Sequence, residues 1–82
     1  MKTVEQKTTD IRRISDLPLA SYLVALDIPL IAVEGPPTRR EFVFKNVPDA
    51  VLLGYYSGEA TVSVRKLFGA YRDLKGLTVQ MR

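Results

Sequence analysis

A helix stop followed five residues later by a helix start is the feature that most constrains the fold of this chain. Gly58 follows an apolar, helix-compatible segment, and glycine adopts the positive φ of a helix C-terminus at low cost. Ser63 then offers a hydroxyl that caps the next helix. Val62 and Leu67 flank this cap at the spacing of a hydrophobic staple. The pattern predicts two helices joined by a short loop, with Gly58 at positive φ.

Three helices are predicted in all. The first has Pro18 in its first turn, carries apolar residues at helical spacing and ends before Pro29. The second opens at Pro48, and the third follows the serine cap. Gly76 is predicted to end the third helix.

Two strands are predicted at residues 30–34 and 40–45, joined by a turn that contains two prolines. In the second strand Phe42 and Phe44 alternate with residues that point to the opposite face. A lone two-stranded hairpin is marginal in water, so helices are expected to cover the phenylalanine face. Residues 11–14 fit either a short edge strand or an ordered lead-in, and the sequence leaves both open.

The expected architecture is therefore α+β: an N-terminal helix, an antiparallel hairpin and two C-terminal helices. A chain of 82 residues makes a single domain, here predicted over residues 10–77. Residues 1–9 are expected to be a flexible N-terminus, and residues 78–82 a C-terminal tail. The predicted core consists of Leu23, Leu26, Phe42, Phe44, Leu52, Leu67, Phe68 and Leu74.

The chain contains neither cysteine nor histidine, which removes the usual ligands of zinc and copper and the usual nucleophile pairs. Among the nine acidic residues, Glu34 and Glu41 are expected to lie close across the hairpin, but arginines adjoin them and indicate a solvated surface pair. The five glycines are scattered and form no phosphate-binding loop. We therefore expect no enzyme activity, no cofactor and no metal.

No apolar run reaches the roughly 18 residues of a membrane span. The N-terminal residues lack the apolar stretch of a secretion signal. The expected location is cytoplasmic, with no membrane partner.

Two groups of residues are candidates for a protein interface. Tyr55 and Tyr56 are neighbours on the second helix, where adjacent side chains point about 100° apart, so one of them faces outward. The other tyrosine of the pair is expected to pack its ring against the third helix. Arg39 and Arg40 stand at the end of the hairpin turn and form the second group.

Nucleic-acid binding is the alternative, because the chain carries a formal charge of +3 and its third helix is basic. Asp73 interrupts this basic helix, and the loop before it is longer than the turn of a helix-turn-helix motif. The candidate phosphate contacts are Arg65, Lys66, Arg72 and Lys75.

Four segments resemble a small bacterial and phage family classified as domain of unknown function 5659. These are residues 19–23, 42–44, 55–60 and 70–75, and the resemblance covers about residues 9–76. It implies a compact α+β domain from a mobile-element or phage context and supplies no catalytic or ligand residue. The loop with Pro36 and Pro37 lies outside the family pattern.

The sequence thus favours a small non-enzymatic module that binds another macromolecule, a protein in the first instance. The surface of the hairpin and the edge formed by Tyr55 and Tyr56 are the expected contact sites. Self-association as a dimer through the hairpin edge is a further prediction, because an edge strand offers unpaired backbone groups.

Overall fold

The computed structural model describes residues 10–80, with side chains through residue 78. Six elements follow one another in this part of the chain, so the α+β class is confirmed. The expected helix-first order is wrong, because a strand precedes the first helix. The elements are β1 (Ile11–Ile14), α1 (Leu17–Ala25), β2 (Leu30–Glu34), β3 (Glu41–Lys45), α2 (Asp49–Ser57) and α3 (Val64–Gln80).

The three strands form one antiparallel sheet in the order β1-β3-β2. The segment that the sequence left open is therefore an edge strand, in which Ile11 is opposite Lys45 and Ile14 is opposite Phe42. The predicted two-stranded hairpin is corrected to a three-stranded sheet. Because β3 has a strand on each side, its backbone N–H and C=O groups form hydrogen bonds in both directions. This central strand carries the two most deeply buried aromatic rings.

The helices cover the face of the sheet that carries Phe42 and Phe44, as expected. Both rings are buried, and they join Leu19, Leu23 and Leu74 in the core cluster. Val43 lies on the opposite face between Arg13 and Ala32, and it is nevertheless only 3% exposed.

Phe68 is not a core residue, contrary to the prediction, since 61% of its surface is exposed. The inward side of α3 carries Ala70 and Leu74, which are buried, with Leu67 and Leu77 packed against them. Phe68 points about 100° away from Leu67 and therefore faces away from the core.

The loop between α2 and α3 is built as the sequence predicts. Gly58 has a φ of 82° and ends α2. The Ser63 hydroxyl accepts a hydrogen bond from the backbone N–H of Lys66 at 3.4 Å, which caps α3. The predicted helix end at Gly76 is wrong, because α3 continues through it to Gln80. Leu77 extends the inward apolar side of the helix by one more position, so ending at Gly76 would remove that residue from the core.

The predicted flexibility of residues 1–9 lies outside the described residues, as do residues 81 and 82. Within residues 10–80, no helix has the length and apolar character needed to cross a membrane.

Candidate functional site

An apolar groove opens between α1, α2 and the N-terminal half of α3. Its volume is about 360 Å³, and eight of its nine lining residues are apolar or aromatic. Ser21 supplies the remaining side chain, and its hydroxyl donates to the Leu17 carbonyl oxygen at 2.8 Å. The other lining residues are Pro18, Tyr22, Tyr55, Ala60, Val62, Leu67, Phe68 and Tyr71.

The helix stop at Gly58 positions one end of this groove. After it, the backbone N–H groups of Glu59 and Ala60 both donate to the Gly54 carbonyl oxygen at 3.1 Å. These bonds turn the chain back toward α1, so that Ala60 and Val62 line the groove. The residues that the sequence marks as a helix boundary therefore also shape the site.

The two neighbouring tyrosines of α2 have different environments. Tyr56 is 69% exposed, whereas Tyr55 is half-buried, which confirms that one of the pair faces outward. The ring of Tyr55 lies 5.5 Å from the ring of Tyr22 in α1. Tyr55 also lines the groove together with Leu67, Phe68 and Tyr71 of α3. Tyr56 meets Tyr55 edge to face, with 5.4 Å between the ring centroids.

Burial raises the pKa of Tyr55 above its ordinary value of 10.0, and the negative charges of Asp16 and of Tyr56 add to this effect. The Tyr55 phenol is therefore neutral throughout the physiological range. It presents a hydroxyl and an aromatic face, not a charge, to the groove.

A stripe of exposed side chains runs along α3 beside the groove. It consists of Val64, Phe68, Tyr71 and Lys75, spaced i, i+4, i+7 and i+11. The first three are apolar or aromatic and are 65%, 61% and 36% exposed, respectively. The Lys75 ammonium nitrogen lies 5.8 Å from the centroid of the Tyr71 ring, a cation–π contact. We call these four residues the outer stripe of α3.

The four basic candidates of α3 do not form a single surface. Arg65 and Arg72 lie about 20° apart around the helix and share a face. Lys66 points about 100° away from Arg65, and its ammonium nitrogen lies 3.8 Å from an Asp27 carboxylate oxygen. Lys75 belongs to the outer stripe. Arg65, Arg72 and Lys75 therefore lie within an arc of about 80°, whereas Lys66 points to another side of the helix.

Arg39 and Arg40 lie in a second, more polar cleft that shares no lining residue with the apolar groove. The Arg40 guanidinium donates to the Gly35 carbonyl oxygen and so holds the turn between β2 and β3. The Arg39 N–H donates to the Pro36 carbonyl oxygen at 2.9 Å, while its side chain stays exposed. The two predicted interface groups are thus in separate places.

The acidic residues give no metal site within the described part of the chain, where no cluster of three acidic ligands occurs. Glu34 is opposite Glu41 as expected, and Arg13 reaches the Glu34 carboxylate at 3.5 Å on the open face of the sheet.

The strand order also limits the predicted dimer contact to one strand edge of the hairpin. Because β1 and β2 occupy both sides of β3, the free edge of the hairpin is that of β2. Dimerisation through this edge stays a prediction.

Comparison with protein-family models, with curated proteins and with solved structures found no match to the chain. The resemblance to the family of unknown function therefore stays a prediction.

Sequence reasoning missed Phe68 as a site residue, because it placed this residue with Leu67 and Leu74 in the predicted core. Leu67 and Phe68 lie about 100° apart around the helix, so they belong to two separate apolar rows. Two such rows on α3 indicate one row for the core and one for another contact.

Proposed function

We propose that this protein is a non-enzymatic interaction module that binds a protein segment in the apolar groove. The observation that carries the proposal is the set of four aromatic rings at this groove, of which Phe68 remains 61% exposed. Single exposed apolar residues are ordinary on a protein surface, whereas a contiguous aromatic patch around a concave site is typical of a binding site. Tyrosine and phenylalanine are also enriched at protein interfaces.

The groove suits apolar side chains better than a polar ligand. Its lining offers the Ser21 and tyrosine hydroxyls as polar groups, and the Ser21 hydroxyl is already bonded to the backbone. Inserting one or two apolar anchors from a partner would remove the exposed face of Phe68 from water. Tyr56, beside the groove, would extend the contact.

The alternative, nucleic-acid binding by α3, has less support from the geometry. A phosphate backbone requires several positive charges along one path, whereas Lys66 is paired with Asp27 and points away from Arg65 and Arg72. Because Lys66 lies off the path formed by the other basic side chains, and because the groove is lined by apolar side chains, the protein-binding proposal is favoured.

The proposal is tested by selecting peptides from a random display library on the full chain. The expected result is enrichment of sequences with two or three apolar or aromatic anchors, whose binding is lost when Phe68→Gln replaces the native chain. Gln keeps the charge and is a good helix former, so the change removes the ring with little effect on α3.

Leu53→Gln is the matched control, because Leu53 is 71% exposed on α2 but does not line the groove. Selected peptides should bind this variant as they bind the native chain. Failure to enrich any sequence, or equal loss of binding in both variants, would contradict the proposal.

A further inference from the structure

The outer stripe of α3 has the geometry of a helix-packing surface. Val64 to Lys75 covers about 16 Å along the helix axis, and the four residues lie within an arc of about 60°. This i, i+4, i+7 spacing is the one that an amphipathic helix presents to a neighbouring helix. The inward side of α3 is already occupied, because α1 packs along it. The outer stripe is a second packing row that the fold does not use.

The walls of the groove match this geometry. Pro18, Ser21 and Tyr22 have helical i, i+3, i+4 spacing and form the α1 wall, while Leu67, Phe68 and Tyr71 form the α3 wall. Two helices that pack side by side leave a trough along their contact. A third helix fits such a trough by inserting side chains at i, i+3, i+4 and i+7.

The rim of the trough on the α3 side is basic. Arg65 and Arg72 lie about 60° and 40° from Phe68 around the helix, and Lys75 lies about 40° from Tyr71. Within residues 10–78, none of these three side chains takes part in an ion pair. Asp73 points about 140° away from Phe68 and leaves this rim positive.

Two acidic residues adjoin lining residues away from α3 in the sequence: Asp16 stands two positions before Pro18, and Glu59 directly precedes Ala60. Both are exposed. The basic residues of α3 therefore indicate the charge that a partner should place on the flank that faces this helix.

Building on the proposed function, we propose that the occupant of the groove is an amphipathic helix with acidic residues on the flank that faces α3. Its apolar face enters between α1 and α3, and its carboxylates meet Arg65, Arg72 and Lys75. The charges set the orientation of the helix, while the apolar anchors supply most of the affinity.

Three synthetic helical peptides test this inference against the full chain. All share leucines at i, i+3, i+4 and i+7, and the flank beside them carries Glu, Gln or Lys. At low salt the Glu peptide is expected to bind about tenfold more tightly than the Gln peptide, which corresponds to about 1.4 kcal/mol. The Lys peptide should bind most weakly. Added salt should shrink these differences, because the contacts are exposed and screened.

A triple variant, Arg65→Gln with Arg72→Gln and Lys75→Gln, should bind the Glu and Gln peptides equally. Arg39→Gln is the control, since it removes one positive charge from a side chain outside the groove. It should retain the full preference for the Glu peptide.

The outcomes separate this inference from the proposed function. If the three peptides bind equally and Phe68→Gln abolishes all binding, the acidic-helix inference is wrong and the proposed function stands. If none of the peptides binds and display selection on the full chain enriches no sequence, the proposed function fails as well. If a single-stranded oligonucleotide binds more tightly than the Glu peptide and competes with it, both proposals are overturned in favour of nucleic-acid binding.

Discussion

Gly58 and Gly69 show how the same residue type has opposite effects at two positions. Gly58 ends α2 with a φ of 82°, a conformation that is strained for any residue with a Cβ. Gly69 lies inside α3, and a Cβ added there would meet no other atom within 4 Å beyond its chain neighbours and the nearby backbone of the helix. The effect of a Gly→Ala substitution on stability therefore depends on backbone conformation at position 58 and on helix propensity at position 69.

We expect Gly58→Ala to lower the free energy of unfolding by about 1 kcal/mol through left-handed strain. Gly69→Ala should raise the same quantity by about 0.5–1 kcal/mol, because alanine restricts the unfolded chain and favours the helix. Urea denaturation of the two variants checks both values. An unchanged midpoint in Gly58→Ala would contradict the assigned end of α2.

Tyr55 makes stability depend on pH in the alkaline range. Its pKa is raised in the folded protein, chiefly by burial, so the fold binds the phenolic proton more tightly than the unfolded chain does. This contribution is fully present below the ordinary pKa of 10.0 and is lost as the pH rises through the folded-state value.

We therefore expect the free energy of unfolding to fall above pH 10 and the decrease to be smaller in Tyr55→Phe. Denaturation curves at neutral and alkaline pH provide the measurement. Tyr56→Phe is the comparison and should reduce the decrease less than Tyr55→Phe does, because the charge of Tyr56 is the smallest of the three causes that raise the pKa of Tyr55. An identical alkaline decrease in the native chain and in Tyr55→Phe would show that this phenol does not cause it.

At the scale of elements, β1 is the piece that local sequence patterns identify least well. It has four residues, and its pairing partners in β3 lie about thirty positions away, as Ile14 with Phe42 shows. No local period reveals such a long-range contact. Pairing with β3 holds β1 in the sheet. An ion pair also joins it to α2, because the Arg12 guanidinium lies 2.7 Å from the carboxylate of Asp49 at the start of that helix.

Removing residues 1–14 should lower the free energy of unfolding by at least about 2 kcal/mol, because it takes Ile14 from the core and unpairs one edge of β3. Removing residues 1–8 is the control and is expected to leave cooperative unfolding intact. Thermal unfolding followed by circular dichroism distinguishes the two chains. Equal stability of both would mean that β1 contributes nothing to the fold.

The same contrast between local and long-range information explains why the start of α3 is predictable from the sequence and its end is not. Its start at Ser63 follows from local chemistry and is predictable from the sequence. Its continuation past Gly76 depends on Leu77 reaching the core, which only the packed helix reveals. Likewise, the two apolar rows of α3 are visible in the sequence. Which row faces inward depends on how α1 crosses α3, so Phe68 was assigned to the wrong side.

At the scale of the whole molecule, the α+β class, the antiparallel hairpin and its phenylalanine core were predictable because they rest on alternation and on turn residues. The groove was only partly predictable. Tyr55 was a candidate from the sequence, but its neighbours Tyr22 and Phe68 come from two other helices. Tertiary packing brings these three residues together, and the residue spacing within a single helix does not predict such a contact.

The central claim is that the aromatic groove exists for binding rather than for folding. The most direct test measures the affinity of one display-selected peptide for the native chain, for Phe68→Gln and for Leu53→Gln, together with each free energy of unfolding. We expect Phe68→Gln to lose at least about tenfold in affinity, while Leu53→Gln stays within about twofold. Both variants should unfold within about 0.5 kcal/mol of the native chain, as exposed positions do. Unchanged affinity in Phe68→Gln, or a loss matched by Leu53→Gln, would contradict the account.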